Sequence, residues 1–192
     1  MQARLCSIGG AFLSTTGNVW VFGYGSLIWR PDFPFAQRRQ ARIDGWSRRF
    51  WQGSHDHRGT ADAPGRVVTL VPTPGVRCDG VAYLIDHAVF EHLDHREKNG
   101  YERNDVDLLF ADDRARGVVY IAHRDNPAYL GESPIGIIAR QILNSRGPSG
   151  TNREYLYELA AALRKLDADD PHVFELEAHV RALEADGYSP AA

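Results

Sequence analysis

A change in hydrophobic period about two-thirds of the way along this 192-residue chain restricts its fold more than any other feature. Before that point, apolar and β-branched residues come in short runs at 19–22, 42–51, 67–71, 80–85, 106–110 and 118–122. Gly, Pro, Asp and Asn separate most of them, which predicts strands. One helix interrupts the strands: Asp86 is placed to cap it, Val89, Phe90 and Leu93 form its apolar stripe, and Gly100 supplies a left-handed stop. After Ser133 the period becomes helical. Ser133 as N-cap and Pro134 at the first helical position open a helix whose Ile135, Ile138, Ala139, Ile142 and Leu143 share one face, ending by Gly147. Thr151 and Glu154 have capping-box spacing ahead of Leu156, Leu159, Leu163 and Leu166. A last helix opens at Asp170 and Pro171, buries Val173, Leu176, Val180 and Leu183, and stops at Gly187. Strands first and helices later predict an α+β fold. About six mainly antiparallel strands without protected edges predict closure into a small β-barrel with flanking helices.

Composition narrows the function classes. The net charge is −3 and the sequence pI is near 6.2, which leaves no electrostatic footprint for a nucleic-acid backbone. Only Cys6 and Cys78 are present, without metal-type or redox-type spacing, as expected of a reducing, cytoplasmic setting. No apolar run approaches the roughly 18 residues that span a bilayer. The mildly apolar stretch from Leu5 to Leu13 is diluted by Gly9 and Gly10, so residues 1–18 are expected to form an extension and not a signal peptide.

Four segments can carry chemistry. Phe22-Gly23-Tyr24-Gly25-Ser26-Leu27 leaves a strand through two glycines, so that backbone N–H groups can face an anion; a plain tight turn is the alternative. It lacks the Lys partner of a phosphate loop and the third glycine of a dinucleotide fingerprint. Glu97 in Leu93-Asp94-His95-Arg96-Glu97-Lys98-Asn99-Gly100-Tyr101 stands near a helix C-terminus, where the dipole disfavours its charge and raises its pKa, as suits an acid/base. A solvated charged turn is the plainer alternative on local grounds. His55 and His57, with Asp56 between them, lack further ligands at metal spacing, so no metal is expected. Ser26 and Ser149 lie near glycines but not in a nucleophile elbow. Gly147-Pro148-Ser149-Gly150 joins two helices, and Tyr155 follows in the first turn of the second; a tight turn accounts for the glycines, and local physics leaves open whether Tyr155 faces a pocket.

In order, these segments resemble the ChaC family of glutathione-specific γ-glutamylcyclotransferases. The likeness runs through residues 22–29, Gln52-Gly53-Ser54, Asp56-His57-Arg58-Gly59-Thr60, Pro64-Gly65-Arg66-Val67-Val68-Thr69-Leu70, Gly80-Val81-Ala82-Tyr83, Arg96-Glu97-Lys98 with Gly100-Tyr101, and residues 147–156. It covers about residues 19–166 and departs from the family pattern at His95 and Asn99, where Tyr and Gly are expected. The resemblance implies a single domain over 19–187 with a tail at 188–192, no cofactor, and glutathione as substrate. It makes Glu97 the acid/base and places Tyr24, Gly25, Ser26 and Leu27 around the substrate. Arg66, Tyr101 and Tyr155 join them as further pocket contacts. A monomer or homodimer is expected, with no nucleic-acid or membrane partner. Two alternatives stay open: a cyclotransferase acting on other γ-glutamyl amines or amino acids, and a non-catalytic γ-glutamyl-binding module.

Overall fold

A computed structural model of the chain describes residues 17–96 and 100–188. Five strands close a barrel in the order β1-β3-β2-β4-β5: β1 Val19–Gly23, β2 Gln37–Ser54, β3 Gly65–Ile85, β4 Glu102–Leu109 and β5 Arg114–Ile121. All pairings are antiparallel except β1 with β5, which close the barrel in parallel at Val21 and Val118. The closing pairs are short: β2 meets β4 at Arg42 and Leu109, and β1 meets β5 at Val21 and Val118. The strands supply Val21, Phe22, Ile43, Phe50, Leu70, Val81, Ile85, Leu108, Val119 and Ile121, all buried, some inside the barrel and some under the helices.

The barrel has five strands where the sequence suggests six, because the runs at 67–71 and 80–85 are two halves of β3. Pro72, Pro74 and Gly75 do turn the chain, but as an excursion and not a hairpin. Register passes from Asp44 opposite Arg77 to Trp46 opposite Pro72. Residues 73–76 therefore leave the ladder opposite Gly45 alone, and Gly45 and Gly75 take φ of 81° and 80°. A second irregularity, between Arg49 and Gln52, sets one extra β2 residue against β3. Bulges of this kind let very long strands bend around a small barrel.

Helix α1, His87–Arg96, begins where Asp86 Oδ1 accepts the Ala88 N–H at 2.8 Å. It buries Phe90 and Leu93, and Gly100 beyond it has φ of 92°. Helix α2, Ile135–Asn144, starts one residue later than its sequence signals suggest: Pro134 occupies the cap position, and the Ser133 hydroxyl is engaged elsewhere. Its Ile138, Ala139, Ile142 and Leu143 are buried as the pattern requires. Helix α3, Asn152–Lys165, carries the full Thr151–Glu154 capping box. Helix α4, Pro171–Ala185, is capped by Asp170, whose Oδ1 accepts the Val173 N–H at 3.1 Å. Tyr188, assigned from sequence to the tail, donates its hydroxyl to Asn144 Oδ1 at 3.2 Å and so ties the end of the described chain to α2.

Candidate active site

Beyond β1 the chain turns into a short 3-10 helix, Ser26–Ile28, closed by the Ile28 N–H donating to Gly25 O at 3.0 Å. Tyr24 points into the fold, and its hydroxyl donates to Tyr120 O at 2.8 Å. The Tyr83 hydroxyl donates to Leu27 O at 2.6 Å. Ser26 is exposed and Leu27 half-buried. Space at Gly25 is tight: a Cβ there would lie 3.0 Å from Tyr155 Oη and 3.1 Å from Val68 Cγ2. The turn of residues 24–27 and Tyr155, 130 positions apart in sequence, are thus brought into contact.

Tyr155 is buried, with its ring between Trp29 and Phe50 at centroid distances of 5.5 and 5.9 Å. Burial pushes its phenol up to about 12, only partly offset by a hydrogen bond with the Val68 backbone and by the Arg48 and Arg58 charges. At neutral pH it is a protonated hydroxyl. Its helix is seated by two of the sequence motifs acting together. The Ser149 N–H donates to His57 O at 2.9 Å. Arg58 donates to Thr151 O at 3.1 Å, and its guanidinium lies 5.7 Å from the Tyr155 ring centroid. His57 Nδ1 meets Ser149 Oγ at 3.1 Å on the exposed surface, so this histidine joins two loops. Among the described residues no three His, Cys, Asp or Glu side chains gather as a metal site.

Arg66 lies elsewhere in the logic of the fold. It is 4% exposed, and its guanidinium donates to Phe50 O (3.0 Å), Gly131 O (2.9 Å), Gln141 Oε1 (2.6 Å) and Ser133 Oγ (3.2 Å). With these donors committed to loop and helix, the arrangement favours a structural role over the expected substrate contact. Burial without a paired carboxylate holds its pKa below the usual arginine value. Tyr101 packs half-buried against the core just before β4. Glu97 lies outside the described residues. The chain just beyond it is anchored: Asn126 donates to Gly100 O at 2.5 Å and accepts from Gln52 Nε2 at 3.2 Å. Gln52 is buried, and its Oε1 has no hydrogen-bond partner.

Two further residues stand out that were not among the expected site residues. Arg48 is 1% exposed and donates to Tyr24 O at 2.6 Å, Asp79 O at 2.5 Å and Asp170 Oδ2 at 2.5 Å. Asn152, fully buried, accepts the Arg66 N–H at 2.6 Å and donates to Arg66 O at 2.7 Å, locking the start of α3 to β3. Arg48 did leave a signal, since it shares strand parity with the apolar Phe50. Asn152 lay within the motif at 147–156, but nothing local marked it as a tie to β3.

A closed five-strand barrel whose first strand runs into this turn, with a helix-borne tyrosine against it, defines the γ-glutamylcyclotransferase-like fold. The family model for ChaC-like proteins matches residues 19–183, and the chain belongs to that family. The match continues into α4 as far as residue 183, beyond the residue 166 limit read from motifs. The chain is 46% identical over 177 residues to γ-glutamylcyclotransferase 2-3 of Arabidopsis thaliana, covering 85% of this chain and 88% of that one. It is 42% identical to glutathione-specific γ-glutamylcyclotransferase 1 of Danio rerio, covering 86% and 90%. Among solved structures, a glutathione-specific γ-glutamylcyclotransferase from yeast superposes with a TM-score of 0.81 at 31% identity, covering 86% of this chain and 96% of that one.

Proposed function

We propose that this protein is a γ-glutamylcyclotransferase that converts glutathione to 5-oxoproline and cysteinylglycine. The observation that carries the reading is the packing of Tyr155 against the turn, so close that a Cβ on Gly25 would lie 3.0 Å from its hydroxyl, in a chain whose family membership is shown over 19–183. The substrate brings its own nucleophile. Its α-amine attacks the γ-amide carbonyl, the C–N bond of a five-membered lactam forms, and the bond to the cysteine nitrogen breaks. The α-ammonium loses a proton and the leaving nitrogen gains one, so a single carboxylate serves both transfers. Glu97 is that group. The enzyme's main task is then to hold the substrate folded on itself, and such orientation is worth several kcal/mol, up to roughly 7–11.

The N–H groups of residues 25–27 supply donors for the substrate's α-carboxylate, and Tyr155 and Tyr101 line the pocket. Arg66 supports that pocket from within the scaffold. A reducing cytoplasmic setting suits the reading: Cys78 is free and buried, and burial pushes its thiol up to about 11, out of the range of ready reactivity. No described helix is long and apolar enough to cross a membrane.

The test is incubation of the purified protein with reduced glutathione in the presence of a chelator, following 5-oxoproline and cysteinylglycine. Equimolar release of both is expected, with γ-glutamylalanine turned over less efficiently. Absence of both products refutes the reading, and equal kcat/KM for the two substrates moves the protein to the broader γ-glutamyl class.

A further inference from the structure

We infer that Arg48 is a positioning residue for this site, orienting the Gly25 N–H through the carbonyl of Tyr24, and that Asp170 at the head of α4 holds Arg48 in that task. The inference rests on the proposed carboxylate-binding role of the turn and extends it to two residues remote in sequence.

The peptide unit between Tyr24 and Gly25 is planar and trans, so its C=O and N–H point in opposite directions. Arg48 Nε holds the oxygen at 2.6 Å. Fixing the oxygen fixes the hydrogen, which then faces away from Arg48. No acceptor meets the Gly25 N–H among the described residues. A cation on the carbonyl side also polarises the peptide and strengthens the N–H as a donor.

Arg48 is itself held from two sides. Its remaining nitrogens reach Asp79 O in β3 and Asp170 Oδ2, both at 2.5 Å. Asp170 divides its oxygens, one for Arg48 and one for the Val173 N–H of the α4 cap. A guanidinium can span three acceptors belonging to three elements; an ammonium is a single point and cannot. The alternative is that Arg48 does nothing but satisfy buried oxygens, in which case ligand affinity would not depend on it in a folded protein.

The experiment compares the wild-type protein with Arg48→Lys by steady-state kinetics on glutathione, calorimetry with 5-oxoproline and a melting curve. The expected result is a rise of about tenfold or more in both KM and the Kd for 5-oxoproline, the worth of one charge-assisted contact, with a smaller change in kcat. A folded Arg48→Lys protein with wild-type KM and Kd overturns the inference. Should that variant fail to fold, Asp170→Asn, which removes the carboxylate that holds Arg48 and leaves the turn's own residues unchanged, is measured in the same way: a Kd for 5-oxoproline raised several-fold supports the inference, and a wild-type Kd in the folded variant refutes it. The binding measurement needs no turnover. A protein that released no 5-oxoproline from glutathione, yet bound 5-oxoproline more weakly once Arg48 or Asp170 was changed, would sink the proposed reaction and keep the Arg48 inference.

Discussion

At position 25 an added methyl group has nowhere to go. It would press on Tyr155 Oη at 3.0 Å and Val68 Cγ2 at 3.1 Å, and Tyr155 is wedged between Trp29 and Phe50. Either the turn or the ring must shift by a few tenths of an ångström. For Gly25→Ala we expect a stability loss of about 1–3 kcal/mol, the usual cost of overpacking. We expect kcat/KM for glutathione to fall by about 10- to 100-fold, because orientation is what the site contributes. Denaturant melts beside kinetics check this, and an unchanged kcat/KM would remove the turn from the reaction. The glycines flanking Tyr24 were legible in sequence as a turn. Their packing against Tyr155 was not, because no local signal encodes contact across 130 positions. Arg66 shows the converse. Its motif drew attention to it as a ligand group, whereas its four protein acceptors show how the same donors can serve the scaffold.

The N-terminus of α3 is the element on which the site most depends, since Tyr155 stands in its first turn. The capping box there was readable from Thr151 and Glu154. The larger tie was not: Asn152 satisfies both the N–H and the C=O of Arg66, acting as a side-chain substitute for strand pairing. Asn152→Ala leaves two buried backbone groups unpaired, which costs about 2–4 kcal/mol at 1–3 kcal/mol per group after some relaxation. The urea midpoint should drop accordingly with little change in slope. A variant as stable as the wild type would show that water replaces the amide there. The six expected strands became five for a reason visible in the residues: Pro72, Pro74 and Gly75 are turn formers, and sequence alone does not distinguish a hairpin from an excursion that rejoins the same ladder.

At the scale of the molecule, α4 is fastened to the barrel through Arg48–Asp170 and through His172, whose Nε2 accepts the Phe50 N–H at 3.1 Å. Burial first, then the Arg49 charge, lowers the His172 pKa to about 4, with Asp170 opposing and Arg48 adding to the effect. Between its unfolded value near 6.5 and about 4, the unfolded chain binds the proton and the folded one does not. Stability is therefore full above about pH 6.5 and is lost as pH falls toward 4, by about 1–3 kcal/mol. His172→Gln should flatten that part of the melting midpoint's pH dependence; equal slopes in both proteins would contradict it. The barrel, the helix order and the family were legible because strand and helix periods and short motifs are local properties. The couplings of Arg48 to Asp170 and of His172 to Phe50 were not, since each joins β2 to α4.

The central claim is that a carboxylate at position 97 moves the proton between the two nitrogens of glutathione. Glu97→Gln preserves size and hydrogen bonding but cannot take the α-ammonium proton. The direct measurement is 5-oxoproline release from glutathione by Glu97→Gln, alongside 5-oxoproline affinity and a melting curve. The account predicts turnover lower by about 10²–10⁴-fold, with affinity and melting temperature nearly unchanged. A folded, ligand-binding Glu97→Gln protein that turns over glutathione at close to the wild-type rate would contradict it.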